Sequence, residues 1–176
     1  MIRLVPLGGV ALPLMDELAA DLARRLRLGC RVEPAALEIA NAFLPGREQY
    51  HSTVLLERLE TRPRLPGDFL LGVIAEDLCV PILTFVFGEG QLGGACAVVS
   101  TYRLDETRYG LPSNAGLSQA RLVKEALHEL GHVFGLRHCP DWNCVMSSSH
   151  SVERIDLKSS EFCAVCRARL TPGLLP

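Results

Sequence analysis

The chain has 176 residues, 48% of them hydrophobic, and a formal net charge of -2. That is enough for one domain with a substantial core, and it lacks the basic excess that nucleic acid or an anionic membrane surface selects. The longest apolar run, "LCVPILTFVFG", is about half the ~20 residues needed to cross a bilayer, so neither nucleic acid nor membrane is expected as a partner.

In chain order, Ile2 to Leu7 reads as a strand. Pro13 to Leu28 reads as a helix with Met15, Leu18, Leu22 and Leu26 along one face and Gly29 as its stop. The opening "MIRLVPLGGVALPLM" is broken by Pro6, Gly8, Gly9 and Pro13 and does not read as a secretion signal. An extended segment, Cys30 to Ile39, precedes a loop with Pro45 and Gly46. "REQYHSTVLLERLE" follows as a second helix and "TRPRLPGD" as a turn-rich connector.

Three short strands come next, Phe69 to Ile74, Leu83 to Phe87 and Ala97 to Tyr102, with "GEGQLGG" joining the last two. Strands alternating with helices predict a mixed α/β fold. The expected organisation is a single domain over residues 1–176: an N-terminal lobe, 1–135, and a small irregular C-terminal lobe, 136–176, that needs a crosslink to order itself.

The lobes meet at "HELGHVFGLRH", residues 128 to 138. At about 3.6 residues per turn, His128 and His132 stack on one face of a helix whose apolar positions are Leu122, Ala126, Leu127, Leu130 and Phe134. His138 would lie on the order of 9 Å further along an unbroken helix, so the chain must turn back. Gly135 tolerates the left-handed conformation that ends a helix and permits the turn. Three imidazoles around zinc leave a fourth position for water, as in a catalytic site, and Glu129 sits beside the first of them as the candidate general base.

Seven cysteines cannot all pair in disulfides; reduced thiols suggest a cytoplasmic protein whose clustered cysteines bind metal. Cys139, Cys144, Cys163 and Cys166 form C-x4-C and C-x2-C pairs, a strong pattern for a closed structural zinc site and the missing crosslink. Two disulfides or buried free thiols remain the alternatives. Cys30, Cys79 and Cys96 read as core residues.

With "HELGHVFGLRHCPDWNCVM" followed by "CAVC", the chain resembles the archaemetzincins, a family of the metzincin clan of zinc peptidases. One departure is the sixteen residues between Met146 and Cys163, one fewer than the family pattern, a loop-length difference. The resemblance implies an N-terminal lobe with a twisted, mixed five-stranded sheet and two main helices. It also implies a small C-terminal lobe across a cleft, and Met146 as the Met-turn beneath the catalytic zinc. Substrate would add as a strand along an edge strand, here Leu83, Thr84, Phe85, Val86 and Phe87 continuing into Gly88.

The function expected is peptide-bond hydrolysis on a peptide or protein substrate, with two zinc ions per chain, one catalytic and one structural. His150, Tyr102 and Arg103 are candidates for stabilising the oxyanion. The alternatives are a zinc-stabilised peptide-binding module with little turnover and a secreted, disulfide-bonded hydrolase. Oligomeric state and substrate preference are not readable from the residues.

Overall fold

A computed structural model describes residues 1–34 and 36–170. Ala35, inside the extended segment predicted from Cys30, and residues 171–176, the end of the expected C-terminal lobe, lie outside the described residues.

The elements are β1 (Ile2–Leu7), α1 (Leu12–Leu26), β2 (Cys30–Val32), β3 (Phe43–Leu44), β4 (Gln49–His51), α2 (Ser52–Glu60), β5 (Phe69–Ile74), β6 (Leu78–Cys79), β7 (Gly88–Gly90), β8 (Cys96–Ser100), α3 (Ala115–Val133), α4 (Val152–Leu157) and α5 (Ala164–Arg169). Five strands form one sheet in the order β2-β1-β5-β8-β7, parallel except for the antiparallel edge strand β7. This is the mixed five-stranded sheet that the resemblance implied.

Both faces of the sheet are covered, which is why β1 is apolar along most of its length instead of alternating. Ile2, Leu4, Leu71, Val73, Ala97 and Val99 face one side and pack with α1 and α3. Val5, Leu7, Leu70, Ile74 and Val98 face the other and pack with Leu55, Leu56 and Leu59 of α2.

Helix α1 buries Met15, Leu18, Leu22 and Leu26 as predicted, but it ends at Leu26, two residues before the predicted end at Leu28, with Arg27 and not Gly29 as the stop, in the left-handed conformation (φ 51°). The helix predicted from Arg47 begins only at Ser52. Its first part, Gln49–His51, is a strand that pairs with β3 and β6 in a second, three-stranded sheet.

The strand predicted over Leu83–Phe87 is not one. The segment turns at Pro81–Thr84 and makes a single bridge, Val86 to Leu78, while the edge strand is Gly88–Gly90, inside the stretch read as a linker. Composition misled because Leu, Phe and Val in that segment face a second small sheet and a cleft, and glycines supply the strand.

Those glycines have a steric cause. A Cβ on Gly88 would meet the side chain of Glu129 at 2.7 Å, and one on Gly90 would run into the Glu129 carbonyl and reach His132 Cβ at 3.1 Å. With period-two alternation, Gly88 and Gly90 face α3 while Glu89 faces away, where its carboxylate accepts hydrogen bonds from Ser52 and Thr53 at the start of α2. The edge strand therefore lies against the histidine helix at backbone distance.

Candidate metal centre and cleft

Helix α3 starts at Asn114, whose side chain accepts from the Leu117 N–H, and runs buried through Leu122, Ala126, Leu127 and Leu130. It ends where expected. Gly135 is left-handed at φ 91°, and the Gly135 and Leu136 N–H groups donate to the carbonyls of His132 and Gly131. The reversal brings His138 back to its companions, with ring centroids 5.2 Å from His128 and 5.0 Å from His132.

The three imidazoles fit a tetrahedral metal ion. Two Zn–N bonds of 2.0–2.1 Å at the tetrahedral angle separate donor nitrogens by about 3.3 Å, and the Nε2 atoms of His128 and His132 are 3.2 Å apart. The other ring nitrogens are held by backbone: His128 Nδ1 donates to the Val145 carbonyl and His132 Nδ1 to the Leu136 carbonyl, each at 2.8 Å, which leaves Nε2 as the ligand atom. Burial pushes the pKa of all three histidines down, assisted at each by the nearby Lys158 charge. They are neutral, as ligands must be, around neutral pH.

Glu129 is 5% exposed and lies between the histidines and β7. Burial, then the carboxylate of Glu125 one turn earlier, pushes its pKa well above the usual range, and Lys158 opposes the shift. Lys158 and Glu125 are a feature the sequence reading did not single out. Lys158 Nζ is 2.8 Å from Glu125 Oε1, both side chains nearly fully buried, and it also donates to the Ser147 carbonyl at 3.2 Å. Glu125 falls on the Glu129 face of α3 by i,i+4 spacing, but nothing local marks Lys158 as its partner.

Met146 is fully buried with its sulfur against Gly131, directly below the histidine helix. Next to it the four cysteines converge, with all ligand atoms within 4.8 Å of one another. Two Zn–S bonds of about 2.3 Å put tetrahedral sulfurs about 3.8 Å apart, and Sγ of Cys139 and Cys163 are separated by 3.8 Å. The Cys166 N–H donates to Cys163 Sγ and the Cys163 N–H to Cys144 Sγ. The first of these bonds lowers the Cys163 thiol to about 7, against the effect of burial. All seven cysteines are free, so the disulfide alternative is not what these residues adopt. Cys79 and Cys96 are core residues and Cys30 is half-buried.

A cleft crosses the histidines. On one side a cavity of about 350 Å³ is lined by Leu83 through Gly88, Glu125 and Ser148 to His150; on the other, one of about 400 Å³ is lined by Gly88, Gly90, Leu92 and Arg137. His128, Glu129 and His138 border both. The six residues expected to bind substrate thus line the cleft, five of them as a loop wall. Of the three oxyanion candidates, His150 lines it too. Arg103 is instead spent on Asp77, and Tyr102 lies under the Arg108 guanidinium. No helix among the described residues is long and apolar enough to cross a membrane.

The sequence model of peptidase family M54 matches residues 49–172. The chain is 40% identical over 141 residues to an archaemetzincin of Methanocaldococcus jannaschii, covering 80% of this chain and 76% of that protein. It is 38% identical over 156 residues to one of Archaeoglobus fulgidus, covering 89% and 90%. Among solved structures it resembles the Archaeoglobus fulgidus archaemetzincin complexed with malonate, with a TM-score of 0.83 and 37% identity over 96% of this chain and 99% of that one. It also resembles a zinc-dependent peptidase from Methanocorpusculum labreanum, with a TM-score of 0.87 and 27% identity over 97% and 100%.

Proposed function

The chain belongs to peptidase family M54, the archaemetzincins, a zinc metallopeptidase acting on peptide or protein substrates, and we propose that His128, His132 and His138 hold its catalytic zinc while Glu129 is the general base. The observation that carries this reading is the tetrahedral spacing of imidazole nitrogens whose other ring nitrogens are tied to backbone carbonyls. When bound there, zinc supplies the Lewis acidity that makes water a nucleophile near neutral pH and polarises the scissile carbonyl.

Glu129 does the proton work. Its carboxylate accepts a proton from the attacking water at Oε and delivers it to the leaving amine. Its burial excludes bulk water from that transfer, and the same burial makes its carboxylate hold a proton more tightly than an exposed one does, which suits a group that must take a proton before passing it on. His150 borders the same cavity, which supports it as the donor of a hydrogen bond to the developing oxyanion.

Substrate lies across the cleft with chain on both sides of the scissile bond, because cavities flank the histidines on both sides. Gly88–Gly90 offers the only edge-strand backbone there among the described residues, so strand addition is limited to that short stretch. Met146 forms the Met-turn under the zinc. Cys139, Cys144, Cys163 and Cys166 hold a second, structural zinc, giving two ions per chain.

The test is metal analysis with digestion of a peptide library. Wild type is expected to carry two zinc ions and to cleave internal bonds. Glu129→Gln is expected to keep both ions and lose at least a hundredfold in kcat. A Glu129→Gln protein as active as wild type removes the proposed base.

A further inference from the structure

The cleft wall facing the histidines is a loop, and it is held in shape by arginines outside the metal site. Arg47 Nη2 donates to the carbonyls of Leu83 and Thr84 at 2.7 and 2.8 Å, Nη1 to that of Val80 at 3.4 Å, and Nε to Gln49 Oε1 at 2.8 Å. The Gln49 amide in turn donates to the Thr84 carbonyl at 3.0 Å and to Asp77 at 2.8 Å. Asp77 accepts a two-pronged pair of bonds from Arg103, both 2.7 Å, and the Arg103 guanidinium lies 4.0 Å over the ring of Phe85.

One arginine thus fixes the loop backbone and the other backs its aromatic ring. The fork of donors on a guanidinium suits this task, since it satisfies several carbonyls with little loss of freedom per bond. Arg47 is itself on the surface.

What the brace presents to the cleft is apolar. Leu83 is 51% exposed, and Phe85 packs edge-on against Phe87 with centroids 5.2 Å apart; all three line the cavity that contains His128 and Glu129. A half-exposed leucine and a ring on a pinned loop, beside the reacting groups, form a surface preorganised to cover an apolar side chain.

We propose that Arg47 is a positioning residue for substrate: it holds residues 80–85 as a preformed wall, and the wall selects an apolar side chain flanking the scissile bond through Leu83 and Phe85. This rests on the peptidase reading above. It extends that reading from the reaction to the class of substrate.

The experiment uses doubly blocked peptides with Leu or Ser at the flanking positions, and Arg47→Met and Leu83→Ser variants of the full chain. Steady-state kinetics are measured on the zinc-loaded proteins, and binding of the same peptides is measured separately in a Glu129→Ala background. Because the wall touches substrate alike before and during reaction, its loss acts on KM. Arg47→Met is expected to raise KM for the Leu peptide five- to twentyfold with kcat changed less than twofold. Leu83→Ser is expected to cut the Leu-over-Ser preference at least fivefold, with zinc content unchanged in both.

In the Glu129→Ala background the Leu peptide is expected to bind at least fivefold tighter than the Ser peptide, and Leu83→Ser to abolish the difference. Equal binding of the two peptides, or Arg47→Met and Leu83→Ser variants that bind and cleave as the parent does, overturns the proposal. Failure of the peptidase reading looks different: the zinc-loaded parent cleaves nothing, while the binding comparison still reports on the wall.

Discussion

The sulfur of Met146 rests on the bare α-carbon of Gly131, one residue before His132 on the histidine helix. A Cβ at Gly131 would overlap that sulfur and come within 3.0 Å of the Met146 methyl carbon and 3.2 Å of the Phe162 ring. Glycine in a helix interior ordinarily costs about 1 kcal/mol against alanine, so Gly131→Ala would be expected to stabilise an exposed helix. Here overpacking of a closed core, about 1–3 kcal/mol, outweighs the gain.

Gly131→Ala is therefore expected to lower the unfolding free energy by about 1–2 kcal/mol in urea titrations. Adding Met146→Ala removes the overlap, so the double variant loses less than the sum of the single losses, by about 1 kcal/mol or more. A Gly131→Ala protein more stable than wild type contradicts the contact.

Lys158 and Glu125 are buried together beside the cleft, with side chains 1% and 4% exposed. Removing one partner strands a charge, and Lys158→Met is expected to cost about 3–5 kcal/mol. Replacing both with residues of similar length, as in Lys158→Met with Glu125→Met, leaves no orphaned charge. It costs only the hydrogen bond to the Ser147 carbonyl, about 1 kcal/mol. Denaturant titration of the two single variants and the double variant checks this. Additive losses would mean that the two side chains do not act on each other.

The parts of this molecule that could be read from sequence are those fixed by local geometry. His128 and His132 at i,i+4 and the buried face of α1 follow from helical periodicity, the left-handed Gly135 that returns His138 from a glycine stop, and the strands Ile2–Leu7 and Phe69–Ile74 from short continuous apolar runs, each local to a few residues.

The parts that could not be read depend on distant partners. Gln49–His51 looked helical because its tendency to pair with β3 and β6 is invisible locally. Gly88–Gly90 looked like a linker because glycine signals flexibility, whereas here it signals an approaching helix. Arg47 acts on a loop more than thirty residues away, and Lys158 meets Glu125 only after the chain beyond α3 folds back onto that helix.

Among the described residues after Gly135, 136–170, there are two α-helices, of six residues each, too short to persist alone. Cys163 and Cys166, at the start of α5, converge with Cys139 and Cys144 beside the turn at Met146, where the Cys139 N–H donates to the Met146 carbonyl. Cys163→Ser removes the thiol that is lowered to about 7 and so is substantially thiolate near neutral pH. The variant is expected to bind one zinc instead of two. It is also expected to lose amide-exchange protection across residues 139–170, while β5 in the sheet centre keeps its own. Two zinc ions in the variant, or unchanged protection in that stretch, would show that the cluster is not the crosslink.

Beside β2, at the edge of the sheet opposite β7, Glu33 collects three arginines: Arg3 Nε at 2.8 Å, Arg31 at 3.2 Å and Arg62 at 3.7 Å, with the carboxylate side chain 9% exposed. The hydrogen bond from Arg3, then the arginine charges, hold its pKa below the ordinary 4.5 against the effect of burial. A group whose folded pKa is depressed contributes stability that is complete above the unfolded value and disappears as pH falls through the folded one. The Glu33 contribution is thus constant above about pH 5 and shrinks below about 4.5.

With metal at the proposed sites, absolute stability would also fall in acid, since protonation of histidine and cysteine ligands releases the ion, so a wild-type curve alone is ambiguous. The difference between wild type and Glu33→Gln cancels that loss, since the metal ligands are common to both. The difference in unfolding free energy is expected to be flat from pH 7 to 5 and to narrow as pH drops further. A gap that stays constant down to pH 3 would mean that the carboxylate charge contributes nothing at this site.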